Sequence, residues 1–203
     1  MARKTSFRRS LVAALLAFTA LLVVAVSSGK AWSQGTTVTD TAGGRGGGPF
    51  RLTCPSGMAM TGITGRYGAW VDAVAPICSI WVRNNRTLGE IAEQPGTGGG
   101  GGGPGWIRCQ GPRGAVHALW VWPIREGTGI VGRIYLDCGD YEQPSRFANK
   151  LPGGADGLGN GVERDRRELS CGPNEVAVGL YGRSGAFIDQ IGLLCQRSRG
   201  LPR

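Results

Sequence analysis

Two segments of the chain repeat one pattern. GRSGAFIDQIGLLC at residues 182–195 matches GRYGAWVDAVAPIC at residues 65–78 in six of fourteen positions, and most other positions exchange one apolar residue for another. In each copy one aspartate, Asp189 or Asp72, stands in an apolar run. A long-period repeat indicates that a chain is built from copies of one supersecondary unit. The number of copies therefore constrains this fold more than any local pattern does.

The cysteines indicate three copies. The first cysteine of each pair is Cys54, Cys109 or Cys171, and its partner follows 24, 29 or 24 residues later. Six cysteines allow fifteen pairings, and this spacing predicts the pairing within each repeat. Each bridge should contribute about 3 kcal/mol through loop-closure entropy. A zinc site is not indicated, because the chain has no C-x-x-C motif and a single histidine, His117. The predicted bridges are Cys54–Cys78, Cys109–Cys138 and Cys171–Cys195.

The periodicity inside the repeats is two. Residues 58–63 and 175–181 alternate in the manner of half-buried strands. With 37 glycines and 11 prolines, long helices would be costly. We predict an all-β fold with pseudo-threefold symmetry, from repeats at about 43–83, 98–140 and 153–197. A β-trefoil and a prism of three four-stranded antiparallel sheets both avoid a long free edge, and the periodicity alone does not decide between them.

The first 33 residues have the composition of a signal peptide. Basic residues precede an uncharged run of sixteen from Leu11 to Val26, and Ala31-Trp32-Ser33 places small residues at the −3 and −1 positions of a cleavage site. The apolar run is short for the ~20 residues that cross a bilayer. We predict a secreted chain, extracellular or periplasmic, with one domain at 34–197, no membrane span once mature, and a disordered tail at 198–203.

The charge of the mature chain argues against nucleic acid as a partner. Removing residues 1–33 takes away five positive charges and no acid, so the formal net charge falls from +9 to +4. The remaining arginines and lysines are scattered among 14 acidic residues. Proteins that bind nucleic acid concentrate basic residues on one face, and this sequence has no such concentration.

Two stretches resemble a known family. Residues 182–192, GRSGAFIDQIG, are similar to the closing G-R-S-G-aromatic-aliphatic-D-x-I-G segment of jacalin-related lectins of the mannose-binding type. Residues 43–50, GGRGGGPF, resemble the N-terminal double glycine and aromatic residue of that family. More distantly, the cysteine-bridged repeats resemble the vitelline-membrane outer-layer protein. The resemblance spans residues 40–197 and implies the β-prism rather than the trefoil.

The resemblance also implies carbohydrate binding. In jacalin-related lectins a G-x-x-x-D loop offers backbone N–H donors and one carboxylate to a monosaccharide, and a double-glycine loop closes the site. A carboxylate accepts two hydroxyl hydrogen bonds, and glycine lets the backbone approach the sugar closely. The implied ligands are glycans of mannose or glucose type rather than galactose, bound without metal or cofactor. The matching residues are Gly185, Ala186, Phe187, Ile188 and Asp189 beside Gly43 and Gly44, and Gly68, Ala69, Trp70, Val71 and Asp72 beside Gly98 and Gly99.

The second repeat departs from this pattern. Gly132 stands six residues before Cys138, where Asp72 and Asp189 stand six residues before their own cysteines. We therefore expect two sites rather than three. Because the second copy of the unit is built without the aspartate, Asp72 and Asp189 are better candidates for ligand contacts than for scaffolding.

Each candidate has a structural alternative. The two aspartates could hold turns between strands, and Arg66 and Arg183 could pair with them or with turn carbonyls. Trp70 and Phe187 could pack in the core or cover the C–H face of a sugar, and the glycine run 98–103 could be a linker. Accessible carboxylates facing a glycine loop favour a lectin. Carboxylates buried and satisfied by the arginines favour a structural protein of an envelope or matrix.

The sequence does not indicate catalysis. A glycosidase needs two matched carboxylates across a cleft, and Asp72 and Asp189 belong to separate repeats that we expect to lie far apart. A Ser-His-Asp set would depend on His117, which has no G-x-S-x-G partner. A homo-oligomer is compatible with the sequence, although no feature specifies one.

Overall fold

The computed structural model describes residues 35–124, 129–142, 157–160 and 166–198. The predicted signal peptide lies outside these ranges. The regular elements in the described residues are β-strands, and none of these residues belongs to a helix long and apolar enough to cross a membrane. The strands are β1 Thr37–Val38, β2 Ala42–Gly43, β3 Gly48–Thr53, β4 Met58–Tyr67, β5 Val71–Val82, β6 Thr87–Glu93, β7 Thr97–Gly98, β8 Gly103–Arg108, β9 Gly114–Pro123, β10 Val131–Asp140, β11 Leu158–Gly159, β12 Arg167–Ser170, β13 Glu175–Ser184 and β14 Ile188–Arg197.

Three antiparallel sheets are each built on one long hairpin. Sheet A has the order β1-β14-β13-β3, with β2 also paired to β14. Sheet B has the order β6-β5-β4-β8, with β7 also paired to β5, and sheet C has the order β11-β10-β9-β12. The main path of each sheet has four strands, as predicted. The hairpins β4–β5, β9–β10 and β13–β14 come from the first, second and third repeats, so the sheets carry the pseudo-threefold symmetry of the sequence.

The last strand in each sheet order, β3, β8 or β12, comes from the following repeat, with the first repeat counted as following the third. Strand β8 of the second repeat pairs with β4 of the first, and β12 of the third pairs with β9 of the second. Strand β3 of the first repeat pairs with β13 of the third, where Phe50 lies opposite Gly182. This last pairing closes the ring. No repeat forms its sheet alone, because the first strand of each repeat pairs outside it.

The disulfides join the sheets to one another. Each bond links a cysteine just after β3, β8 or β12, the last strand in the order of its sheet, to a cysteine in the hairpin of the next sheet. Cys54 follows β3 of sheet A and bonds Cys78 in β5 of sheet B. The other two bonds are Cys109 to Cys138, between sheets B and C, and Cys171 to Cys195, between sheets C and A. The three bonds therefore form a closed ring across the three seams of the fold.

The core lies between the three sheets. Side chains below 2% exposure come from every sheet, and burying each one contributes about 1.5–3 kcal/mol. The larger of two buried clusters takes residues from all three sheets. Three four-stranded sheet paths around one such core are the arrangement of a β-prism rather than of a trefoil. The buried residues include Met60 and Ile63 of sheet B, Leu119 and Ile134 of sheet C, and Leu180 and Leu193 of sheet A.

At its C-terminal end the described chain includes Ser198, the first residue of the predicted tail. Ser198 is 6% exposed. Its backbone N–H donates to the carbonyl of Asn174 at 2.9 Å, and the hydroxyl of Tyr141 donates to its carbonyl at 3.1 Å. These two bonds tie Ser198 to the end of the fold. Residues 199–203 lie outside the described part.

Candidate functional site

Asp72 and Asp189 occupy the same irregular position in two hairpins. In β13–β14, Ser184 pairs with Ile188 and Arg183 pairs with Gln190, so Asp189 is the extra residue of a β-bulge. In β4–β5 the pairs are Tyr67 with Val71 and Arg66 with Ala73, which leaves Asp72 as the extra residue. A bulge interrupts the ladder and re-aims one side chain. The fold thus turns one carboxylate out of the ladder at the same point of each hairpin.

Gly132 is the bulge residue of the second repeat. Strand β10 pairs Val131 with Pro123 and Arg133 with Trp122, which leaves Gly132 unpaired in this ladder. A Cβ atom on Gly159 would lie 2.1 Å from the carbonyl oxygen of Gly132. The same distance separates a Cβ on Gly43 from the carbonyl oxygen of Asp189. The backbone of the site is therefore preserved in the second repeat without the carboxylate.

Four glycines that the sequence analysis did not select surround the two carboxylates. A Cβ atom on Gly46 would lie 2.2 Å from Oδ1 of Asp189, and one on Gly47 would lie 2.5 Å from its Oδ2. The corresponding distances for Gly101 and Gly102 are 2.3 Å and 2.5 Å from Oδ1 and Oδ2 of Asp72. Each carboxylate thus lies against two adjacent glycines, Gly46–Gly47 or Gly101–Gly102, which we call its glycine cradle. In its present position the carboxylate leaves no room for a Cβ atom at either glycine. These four glycines could have been identified from the pattern G-G-x-G-G, which recurs at residues 43–47 and 98–102.

The glycines selected from the sequence contact the backbone of the bulge instead. Gly44 donates its N–H to the carbonyl of Asp189 at 2.7 Å, and Gly99 donates to the carbonyl of Asp72 at 2.9 Å. Gly43 and Gly98 both have φ of +118°, a conformation that L side chains rarely adopt. The first glycine pair of each loop therefore fixes its backbone against the bulge, and the second pair faces the carboxylate.

The two arginines hold the glycine loops rather than the aspartates. Arg183 donates from Nε to the carbonyl of Gly46 at 2.8 Å and from Nη2 to that of Gly47 at 2.5 Å. Arg66 makes the matching bonds to Gly101 at 2.8 Å and Gly102 at 2.6 Å. Of the two roles considered for these arginines, the bonds to turn carbonyls are the ones present.

The carboxylates have no hydrogen bond or ion pair with the residues that the structure describes. The described ion pairs join Arg86 and Arg113 to Asp140 and Glu142. Asp189 is half-buried, whereas Asp72 is 5% exposed. Asp72 is therefore more buried than we expected for a residue of an open binding loop. Its carboxylate is nevertheless not hydrogen-bonded by Arg66, which donates to glycine carbonyls instead. Within the described ranges, no group of three or more His, Cys, Asp or Glu residues could hold a metal ion.

The remaining residues of the two G-x-x-x-D loops divide into exposed and buried ones. In each loop the leading glycine closes a tight turn, with Gly185 donating to the carbonyl of Phe187 and Gly68 to that of Trp70, both at 2.9 Å. Ala69, Ala186 and Trp70 are exposed, and Phe187 is half-buried. Val71 and Ile188 are fully buried, so their side chains anchor the loops in the core and leave only their backbones for a ligand.

The two loops lie side by side, contrary to the expectation that they are far apart. The ring centroids of Trp70 and Phe187 are 5.1 Å apart. A Cβ atom on Gly99, in the glycine loop beside Asp72, would lie 2.2 Å from the carbonyl oxygen of Ala186. Pseudo-threefold symmetry separates the repeats around the prism axis, but it brings their turns together at one end of the prism. Membership of separate repeats therefore does not imply that the two loops are far apart.

We expect Arg183→Met to loosen the glycine loop beside Asp189. Charge-assisted hydrogen bonds contribute about 1.5–3 kcal/mol when buried, and solvent exposure here reduces that to about 1 kcal/mol, equivalent to a fall in Tm of roughly 2–4 °C. Amide exchange of Gly46 and Gly47 should accelerate. Arg51→Met, at an exposed position of β3, is the control. Unchanged exchange in Arg183→Met would show that the bonds do not hold the loop.

Solved structures that match this fold include lectins. Malaysian banana lectin matches with a TM-score of 0.57 at 20% sequence identity, over 80% of this chain and 99% of the lectin. The mannose-binding lectin from champedak matches with a TM-score of 0.57 at 18% identity, over 80% and 98% of the two chains. A mannose-binding jacalin-related lectin from Ananas comosus matches with a TM-score of 0.54 at 20% identity, over 80% and 98%.

No protein-family model and no curated protein sequence matches the chain. The likeness therefore rests on the course of the backbone, which agrees with these lectins over nearly their whole length. The chain has the fold of the jacalin-related lectins.

Proposed function

We propose that the chain is a secreted lectin that binds mannose- or glucose-type units of glycans at the loops of Asp189 and Asp72. One observation carries the proposal: two carboxylates at matching bulges lie in glycine cradles and have no hydrogen-bond partner among the described residues. A carboxylate can accept several hydrogen bonds. Scaffolding would use that capacity within the protein, whereas a ligand with adjacent hydroxyl groups would use it from outside.

The composition of the loops fits a sugar. The turns at Gly185–Ala186 and Gly68–Ala69 carry no bulky side chain, and both alanines are exposed, so a flat ring can approach the backbone closely. Hydroxyl-to-carboxylate bonds are charge-assisted and stronger than neutral ones. Solved relatives in fold include artocarpin in complex with mannotriose and with methyl-α-mannose. These complexes support a mannose-type ligand.

The proposal includes export and no catalysis. Three disulfides, with no free cysteine among the described residues, suit an oxidising compartment. Each carboxylate has its own glycine loop, and binding needs only acceptors and donors at fixed positions. The proposed site uses no metal and no cofactor. Incubation with a labelled mannose oligosaccharide should therefore leave the oligosaccharide uncleaved.

The test is titration calorimetry with methyl-α-mannoside. We expect two sites per wild-type chain and one site in each of Asp189→Asn and Asp72→Asn, because asparagine keeps the shape of aspartate but not its charge. Asp189→Asn should cause the larger loss of total binding, since Asp189 is the more accessible of the two. Glu93→Gln, at an exposed position of β6, is the control and should bind as the wild type does.

A wild-type chain that binds no sugar would overturn the proposal. A glycan array would extend that result from mannosides to other sugars. In that case the burial of Asp72 and the ring of disulfides would instead support a structural protein of an envelope or matrix. Binding that persists unchanged in the Asp72→Asn/Asp189→Asn double variant would place the sugar elsewhere on the prism.

A further inference from the structure

We propose that the two sites form one bipartite surface, on which a single oligosaccharide binds Asp72 at one end, Asp189 at the other, and the Trp70–Phe187 pair in between. The inference rests on the proposed function and deepens it, because it names the ligand as a glycan of several sugar units. It starts from three contacts between the two G-x-x-x-D loops and their glycine loops.

The first contact is the aromatic pair. The rings of Trp70 and Phe187 meet edge to face, with centroids 5.1 Å apart and planes at 83°. This geometry is favourable for aromatic rings. Trp70 nevertheless remains 41% exposed. The pair therefore forms an apolar ridge between the two carboxylate loops, and part of the indole is free to contact a ligand.

The other two contacts connect the polar parts of the sites. The hydroxyl groups of Thr97, just before Gly98, and Ser184, just before Gly185, share a hydrogen bond of 2.7 Å. The close approach of Gly99 to the carbonyl of Ala186 allows no Cβ atom. The glycine loop that closes the Asp72 site thus packs directly on the G-x-x-x-D loop of the Asp189 site. One site borders the other without an intervening segment.

The aromatic residues occur only where the carboxylate occurs. The position of Trp70 and Phe187, two residues before the bulge, is Ile130 in the second repeat, and Ile130 is 4% exposed. That repeat has Gly132 at the bulge. If the ring were needed to pack the prism, all three hairpins would require it. An aromatic residue confined to the two loops with carboxylates is instead consistent with a ligand that contacts both groups.

A glycan matches the order of these features. A sugar unit presents hydroxyl groups at its edge and C–H groups on its face, so hydroxyl groups suit the carboxylate cradles and a C–H face suits the ridge. A monosaccharide can occupy one cradle, but only a chain of several units can occupy both cradles and the ridge. Linking two binding events in one ligand raises the affinity through the effective concentration of the second.

Calorimetry with methyl-α-mannoside and with mannopentaose tests the inference. We expect two molecules of methyl-α-mannoside per chain but one of mannopentaose, with an affinity at least about tenfold higher. Light scattering should give the complex the mass of the unliganded protein, because the bridge lies within one chain. Either single variant, Asp72→Asn or Asp189→Asn, should reduce the affinity for mannopentaose to about that for methyl-α-mannoside.

The ridge is tested with two tryptophan variants. Trp70→Ala should weaken mannopentaose binding by about tenfold more than it weakens methyl-α-mannoside binding. Trp106→Ala, at a residue of β8 that is 58% exposed, is the matched control and should change neither. An equal loss for both sugars in Trp70→Ala would overturn the role of the ridge.

Each other outcome has a separate meaning. Two molecules of mannopentaose per chain, with the affinity of methyl-α-mannoside, would overturn the bipartite surface and leave the proposed function intact. Larger species in light scattering would show that the oligosaccharide bridges two chains and would also overturn it. Failure of both sugars to bind would overturn the proposed function, and with it this inference.

Discussion

A methyl group added at both Gly46 and Gly101 should abolish mannoside binding, whereas the same change at Gly48 and Gly103 should leave it intact. A Cβ atom at Gly46 or Gly101 would lie 2.2 Å or 2.3 Å from Oδ1 of the neighbouring aspartate. At Gly48 the nearest atom is 4.0 Å away, and at Gly103 there is none within 4 Å. The two double variants, Gly46→Ala/Gly101→Ala and Gly48→Ala/Gly103→Ala, therefore add the same groups at matching positions of both loops.

The physical reason is the displacement of the carboxylate. The new methyl group meets the end of a side chain rather than backbone, so the aspartate can rotate away at little cost in folding free energy. It then no longer faces the cradle. Losing a charge-assisted hydrogen bond while the sugar hydroxyl groups remain desolvated should weaken binding by at least about hundredfold. Thermal unfolding should shift by no more than a few degrees.

Gly47 and Gly102 are unsuitable for this test. Their φ angles are +58° and +57°, in the left-handed region that costs an L-residue about 1–2 kcal/mol. A Cβ atom there would also lie within 2.6 Å of backbone atoms of Ser184 or Tyr67. Substitution would destabilise the loop as well as displace the carboxylate. Wild-type affinity in Gly46→Ala/Gly101→Ala would show that the carboxylates do not bind the sugar.

Reduction of the disulfides should unfold the protein. The loops that the three bonds close do not overlap in sequence, so their entropic contributions of about 3 kcal/mol each add. The sum, about 9 kcal/mol, is comparable with the whole stability of a typical domain, about 5–15 kcal/mol. We therefore expect loss of the near-ultraviolet circular dichroism and of cooperative melting in a non-thiol reductant.

A series of cysteine variants separates the contributions. Cys171→Ala/Cys195→Ala should lower Tm by roughly 6–12 °C, the equivalent of about 3 kcal/mol at this chain length. The Cys54→Ala/Cys78→Ala pair closes a loop of the same 24-residue separation and should have a similar effect. A variant that lacks all six cysteines could instead melt within a few degrees of the wild type. That result would contradict the idea that the three disulfides stabilise the contacts between the sheets.

The cysteine spacing and the alternation of apolar residues were sufficient to predict an all-β fold from three repeats. Both are local signals. Alternation reports which face of a strand is buried, and it holds for Glu175–Tyr181 whichever partner the strand has. The sequence did not indicate which strands pair. Nothing in the sequence of Gly103–Arg108 indicates that this strand pairs with Met58–Tyr67 of the preceding repeat rather than with its own hairpin.

The candidate site could be proposed in part from the sequence, because it too depends on residue types and their spacing. The recurrence of aspartate in two repeats and its replacement by Gly132 in the third singled out Asp72 and Asp189. The glycines of the cradles were missed because a run of glycine letters does not show which member faces a side chain. Burial of Asp72 was missed as well, since residue types and spacing do not report how far neighbouring loops cover a side chain.

By itself the sequence determined the class of fold, the three repeats and the recurrence of one aspartate in two of them, because these depend on residue types and their spacing along the chain. Only the tertiary structure decided which strands pair, which sheets the disulfides join and which glycines touch the carboxylates. It also decided that the loops of Asp72 and Asp189 are neighbours. Those features depend on closing a ring, where strand β3 meets β13 at the far end of the chain, and a distance along the sequence does not record a distance across a ring.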